Sequence, residues 1–313
     1  MHIRLALLAF IPKMAITARD YLPTLQFGDA GAPKVLVMLA GFPDDETSSW
    51  GDVLLYLQTS KSFRDYRIMC CCLPDYEKGS VGKAKKPWGY TIDECVALLK
   101  STIDKHVPNS RQKVTLVLHD WGSLVGQLYE NRFPERVDRC VLLDVGQGLG
   151  PGKAFPLLGP ATPYAIILLY QLWWASAYVV SQLVWAALGE LLFALYGLLV
   201  PSFMWPTTLK SQDIPRPREE VGVALCYPYF QFWRAMFFSG AEQRRRMKPR
   251  KLSCPALFLF GADKNVMFHS ARFIAELDTR SDGSRHVALD ASHWMTRGPP
   301  GAACIREMEA FLL

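Results

Sequence analysis

Residues 114–129 constrain the fold more than any other stretch of the chain. Five consecutive apolar or β-branched residues, Val114 to Leu118, have the character of a buried strand, and from Gly122 onward Leu124, Val125 and Leu128 share one face of a helix. Little chain is left to connect the two, so the turn is sharp and exposes its apex, Asp120. A strand-to-helix turn of this kind presents a nucleophile where the backbone N–H of the next residue can stabilise an oxyanion. No Gly-x-Ser-x-Gly occurs in the chain, which disfavours an acyl-transferring serine enzyme and makes Asp120 the candidate nucleophile.

Further apolar runs lie at Lys34 to Ala40, Tyr66 to Cys72, Cys140 to Leu143 and Ala256 to Phe260. They are predicted as buried parallel strands. Helical patterns near 50–57, 91–103 and 124–131 separate them, a βαβ alternation that implies a mostly parallel sheet flanked by helices. The last third adds a helix near 270–277, a strand at 285–289 and a closing helix at 302–313. A chain of 313 residues, half of them apolar, fits one such core with an insertion. The eight cysteines include no Cys-x-x-Cys pair and no zinc spacing with histidine, so they are expected to be buried or free thiols of a reducing, intracellular compartment, with no metal. The net charge of +6 is concentrated at Arg244 to Lys251, a solvated loop or an anionic-surface contact, and nucleic acid has no other support.

The alternation stops near Gly150 and resumes near Lys251, dividing the chain into a core (1–150 and 251–313) and an apolar helical insertion (151–250). Between Lys153 and Lys210 the sole charged residue is Glu190. The runs Ala161 to Val180 and Leu183 to Val200 are each near the ~20 apolar residues that cross a bilayer. Two readings follow: a membrane-associated hairpin within 161–200, or greasy helices packed on the core. The apolar stretch within Met1 to Phe10 is too short to span, and no convincing small-residue cleavage site follows it, which disfavours a signal peptide.

The segment His119-Asp120-Trp121-Gly122-Ser123 resembles the elbow of the α/β-hydrolase superfamily, in its epoxide hydrolase and haloalkane dehalogenase branch, which attacks with aspartate. The resemblance covers nearly the whole chain in motif order, with Leu118 where many relatives carry glycine. It implies a cap domain at the insertion and no cofactor, since aspartate, histidine and water suffice. Ala40-Gly41-Phe42-Pro43-Asp44 resembles the family's His-Gly-x-Pro loop, with Ala40 in place of histidine, so the N–H groups of Phe42 and Trp121 would form the oxyanion hole. His293, in Ala291-Ser292-His293-Trp294 after the last strand, stands where the family places its base. The superfamily places the acid that orients this base after either of two strands, giving Asp263 or Asp144. Asp263 is favoured because epoxide hydrolases resemble that arrangement.

The leaving group decides between the family's chemistries. An opening epoxide needs a proton donor, which the family supplies from two cap tyrosines, and Tyr164, Tyr170, Tyr178, Tyr227 and Tyr229 are available. A departing halide needs N–H donors; Trp121 offers one, and Phe42 stands where a second donor is often found. Tyr229 to Arg234 resembles the family's Asn-Trp-Tyr-Arg with Trp233 where tyrosine is expected, which keeps dehalogenation open. The leading expectation is an epoxide hydrolase acting on an apolar substrate through an ester on Asp120. Its alternatives are a dehalogenase, another α/β-hydrolase, or a non-catalytic lipid-binding member of the fold.

Overall fold

The computed structural model describes residues 19–80, 86–153, 159–207 and 216–313, so the apolar N-terminal stretch lies outside the described residues. Seven strands form one sheet: β1 (Thr24–Phe27), β2 (Lys34–Leu39), β3 (Tyr66–Cys71), β4 (Val114–His119), β5 (Val137–Leu143), β6 (Ala256–Gly261) and β7 (Arg285–Leu289). Their order is β1-β3-β2-β4-β5-β6-β7. Only β1 runs antiparallel to its neighbour, and every other pairing is parallel. β1 had no signal among the apolar runs because it is an edge strand with a half-exposed pattern. The predicted strands are all present, and the one at 285–289 has the expected bounds.

The connecting helices are α1 (Gly51–Thr59), α2 (Ile92–His106), α3 (Trp121–Arg132), α8 (Ala271–Asp278) and α9 (Gly298–Leu312); the last starts four residues before the expected 302, with two prolines in its first turn, where missing N–H donors cost nothing. Thr91 and Glu94 form a reciprocal capping box that fixes the start of α2. Strand alternation sorts the core into two layers. Val35, Val37, Leu39, Leu116 and Leu118 pack toward α2, α3 and the insertion, whereas Leu36, Met38, Val117, Val141 and Leu143 pack toward α1 and α9.

Among the described residues the insertion supplies four α-helices: α4 (Thr162–Leu183), α5 (Ala186–Leu199), α6 (Tyr227–Phe238) and α7 (Ala241–Arg246). α4 and α5 form a tight hairpin, with Gly189 set directly against Ala177 and Ser181. The hairpin roofs the cleft at the sheet's carboxyl edge. α4 buries Ile166, Ile167, Tyr170, Ala175, Ala177 and Tyr178 against the core, and α5, at 14 residues, spans only ~21 Å, short of the ~30 Å hydrocarbon layer. Among the described residues one helix, Gly159–Leu183, is long and apolar enough by composition to cross a membrane, and Tyr164, Ile167, Tyr170, Gln171 and Trp174 of this helix line the cleft.

Strand order reverses beside β2, whose two neighbours are β3 and β4, so the chains leaving β2 and β4 diverge around a crevice. They remain in contact at its floor. A Cβ at Gly122 would lie 2.2 Å from the Leu39 carbonyl oxygen, and one at Gly41 would lie 2.3 Å from the Trp121 nitrogen and 2.8 Å from Asp120 Cβ. Glycine at both positions is what lets the loop after β2 pass directly over the β4–α3 turn.

Candidate active site

Asp120 stands at that turn with φ 53° and ψ −129°, a conformation that L-residues other than glycine rarely adopt. Strain of this kind persists only where the surroundings impose it. Here the buried β4 and α3 fix both flanks, and Gly41 closes over the top. The carboxyl group is pushed up to about 7, chiefly by burial and further by Asp44 and Asp144, while His293 and the Trp121 backbone N–H, which hydrogen-bonds it, act in the opposite direction.

His293, 6% exposed, lines the same cavity as Asp120. Its Nδ1 lies 2.5 Å from Asp144 Oδ2. Asp144 is fully buried, and its Oδ1 accepts from the Gly261 N–H at 3.0 Å and from the Lys264 ammonium. Burial alone would raise this carboxyl, but Lys264 and His293 overcome burial and hold it well below the usual carboxylate range. The expected partner, Asp263, is not there. β6 ends at Gly261, and the following turn sends Asp263 outward to pair with Lys153 while Lys264 points inward. The preference for Asp263 is therefore corrected to Asp144.

Behind His293 lies a polar network; His119, Asp44 and Trp294 belong to it and stand inside the motifs, which gave them no role. The His119 ring packs 4.5 Å from the His293 ring, its Nε2 lies 3.1 Å from the His293 carbonyl oxygen, and its Nδ1 faces Ser49 Oγ at 3.3 Å. Burial, with the neighbouring His293, lowers His119 to about 3, so it stays neutral and acts as a spacer. Buried Asp44 accepts from Ser48 Oγ, Ser49 Oγ and Trp294 Nε1, fixing the residue after His293. Arg216, also buried, donates through Nη1 to the carbonyls of Pro43 and Tyr76, pinning the loop that carries the Phe42 N–H. Lys264 and Arg216 had no one-dimensional signal, and His119, though part of the elbow motif, was given no role there: each is defined by what it touches across the fold.

The cavity measures about 1390 Å³, larger than the ~300–1,000 Å³ of most ligand pockets. Its walls include Phe42, Trp121, Ile167, Phe193 and Phe232, and Asp120 and His293 stand among them. Tyr170 and Tyr229 line it from two different helices, with ring centroids 5.8 Å apart, and the Asp120 charge acts on both phenols. Burial raises both phenols, so they remain protonated. The Tyr170 oxygen accepts from Gln171 Nε2 at 2.9 Å, and Tyr229 hydrogen-bonds Trp121. Trp233 also lines the cavity, but its N–H is already donated to Gln171 Oε1 at 3.0 Å. Trp174 Nε1 is buried with no hydrogen-bond partner among the described residues. Tyr164 is exposed at the mouth. Tyr227 is corrected to a structural role: its hydroxyl donates to the Pro74 carbonyl at 3.0 Å, its ring packs on Gly89, and it does not line the cavity. Among the described residues no cluster of three or more His, Cys, Asp or Glu is arranged to hold a metal, and all eight cysteines are buried and free of disulfides.

The parallel sheet, the β4 elbow and the inserted helical roof define an α/β-hydrolase fold. The chain resembles that superfamily's epoxide hydrolase and haloalkane dehalogenase branch. A solved loop variant of the haloalkane dehalogenase from Bradyrhizobium elkanii superposes with a TM-score of 0.62 at 15% identity, covering 92% of this chain and 91% of that one. Epoxide hydrolase 4 of Homo sapiens is 22% identical over 281 residues, 87% of this chain and 70% of that protein. The cis-3-alkyl-4-alkyloxetan-2-one decarboxylase of Shewanella oneidensis is 30% identical over 126 residues, a match spanning 39% of this chain and only 36% of that relative's length. No family profile matches the chain.

Proposed function

We propose that this chain is an epoxide hydrolase for bulky apolar epoxides. The observation that carries the reading is the pair of protonated phenols, Tyr170 and Tyr229, in one cavity with a buried, strained aspartate. The Asp120 carboxylate attacks an epoxide carbon, the C–O bond opens, and the alkoxide takes a hydrogen bond and then a proton from a phenol. The product of this half-reaction is a hydroxyalkyl ester on Asp120. His293, with Nδ1 bound to Asp144, removes a proton from a water that attacks the ester carbonyl. The N–H groups of Phe42 and Trp121 hold the resulting oxyanion. Collapse releases a diol and the Asp120 carboxylate, and the proton on His293 restores the phenol. One epoxide and one water give one diol.

Dehalogenation fits less well. It needs free N–H donors around the halide, and the Trp233 indole is already committed to Gln171, while Trp121 hydrogen-bonds Tyr229. Only Trp174 keeps an unused indole N–H among the described tryptophans of the cavity wall. The reading is tested by trapping the ester. His293→Gln exposed separately to apolar epoxides and haloalkanes should accumulate an adduct of the full epoxide mass on Asp120, read by intact-protein and peptide mass spectrometry. An adduct of haloalkane mass less HX, with none from epoxides, would reassign the chemistry.

Acidity supplies a second check. Only the carboxylate attacks, and Asp120 stays protonated below about 7. kcat/KM should therefore fall by about tenfold per pH unit on the acid side of that value, instead of holding level down to the ordinary carboxylate range. A profile flat from pH 7 to pH 5 would show that the carboxyl is not raised.

A further inference from the structure

Eleven of the fifteen exposed large apolar side chains among the described residues lie in the cap, between Tyr164 and Phe238. Leu183, Val184 and Trp185 lie at the far end of α4, ~29 Å along the helix from Tyr164, so the part of this surface that bears on the cavity is the set around its mouth. Its placement is informative. The cavity wall includes Tyr164, which is 56% exposed, Leu198, which is 80% exposed, and Lys248, so the cavity opens between the start of α4, the end of α5 and the loop after α7. Leu199 next to that opening, and Phe237 and Phe238 at the end of α6, are also exposed. Chain continuity carries this rim straight into residues 241–251, which hold six cations, Arg244, Arg245, Arg246, Lys248, Arg250 and Lys251, against one acid, Glu242. Across 159–207 the sole charged residue is Glu190, and its carboxylate is tied to the Val223 N–H at 3.0 Å.

We propose that the cap face around the cavity mouth docks on an anionic lipid surface, the exposed leucines and phenylalanines entering the headgroup–acyl boundary and the 241–251 cations meeting lipid phosphates and carboxylates. This rests on reading the cavity as the site of an apolar substrate, which would then enter from the lipid without crossing water. An amphipathic apolar patch with adjacent cations is the combination that holds a protein on a bilayer without spanning it. A second copy of the chain would equally cover apolar surface, but it would set the same six cations against themselves.

Sedimentation of the full chain with vesicles tests this without any turnover, so the result stands whether or not the epoxide reading does. Binding is expected to vesicles of phosphatidylcholine with ~30% phosphatidylserine, to weaken on pure phosphatidylcholine, and to weaken in high salt as screening shortens the reach of the cations. Leu199→Ser/Phe238→Ser, which alters no cavity-lining residue, should lower the partition coefficient by about tenfold or more while circular dichroism stays unchanged. Equal binding by this variant, or no binding by the parent to either vesicle, overturns the proposal. So does a parent homodimer in solution that the same two substitutions dissociate.

Discussion

Asp120→Asn is expected to lower kcat/KM for an apolar epoxide by at least about 10⁴-fold, with the fold intact, because the other carboxylate lining the cavity, Glu190, is held by the Val223 N–H and has no histidine beside it in the described contacts. Asparagine is nearly isosteric, and the wild-type carboxyl at this position is already disfavoured by burial, so removing the charge does not destabilise the elbow. The loss should appear in single-turnover adduct formation as well as in steady state, since the first half-reaction is the one removed. Tyr170→Phe/Tyr229→Phe gives the companion result: slowed ester formation from epoxides with Asp120 still present. Retention of more than about a tenth of wild-type activity by Asp120→Asn would remove the nucleophile assignment. A folded wild type inert toward every epoxide and haloalkane would favour a non-catalytic lipid-binding role.

Some of this site was legible in one dimension. The elbow could be read because β4 is a run of six buried residues, five of them apolar or β-branched, and α3 begins just after Asp120, so the chain left Asp120 no other place. His293 followed from the family resemblance, which places a base after the last strand, and not from its position alone. What could not be read depends on packing between distant segments. Five tyrosines were available to the cap, and only the antiparallel contact of α4 with α6 brings Tyr170 and Tyr229 together and sends Tyr227 into the wall behind Pro74. Trp233 looked like a free donor because sequence does not show that Gln171, on another helix, already takes its N–H. The near-absence of charge from 154 to 209 suggested a membrane hairpin. Composition alone does not distinguish a helix that is apolar for lipid from one that is apolar on one side for a core and a cavity.

The choice between Asp144 and Asp263 was the sharpest ambiguity, since each follows a strand after which the superfamily can place the orienting acid. Backbone geometry decides it: Asp144 sits at φ 66° with its carboxylate turned inward, and Lys264 fills the space that Asp263 would need. Asp144→Asn is accordingly expected to reduce kcat by about 10⁴-fold in the hydrolytic half-reaction, the scale seen when a buried triad aspartate loses its charge and the histidine its tautomer. Ester should therefore accumulate in this variant, which separates it from Asp120→Asn. Asp263→Asn weakens a partly exposed pair with Lys153 and should leave both turnover and stability within about twofold and ~1 kcal/mol. Asp144→Asn also strands the Lys264 ammonium, which is fully buried, at a cost of ~3–5 kcal/mol in folding stability. Lys264→Met in the same chain should recover most of that stability and none of the turnover, because the ammonium's contribution is to hold Asp144 ionised and in place. Denaturant unfolding and single-turnover kinetics on the four proteins would read the two effects separately. If Asp263→Asn proved the slower enzyme, the orienting acid would have to be reassigned.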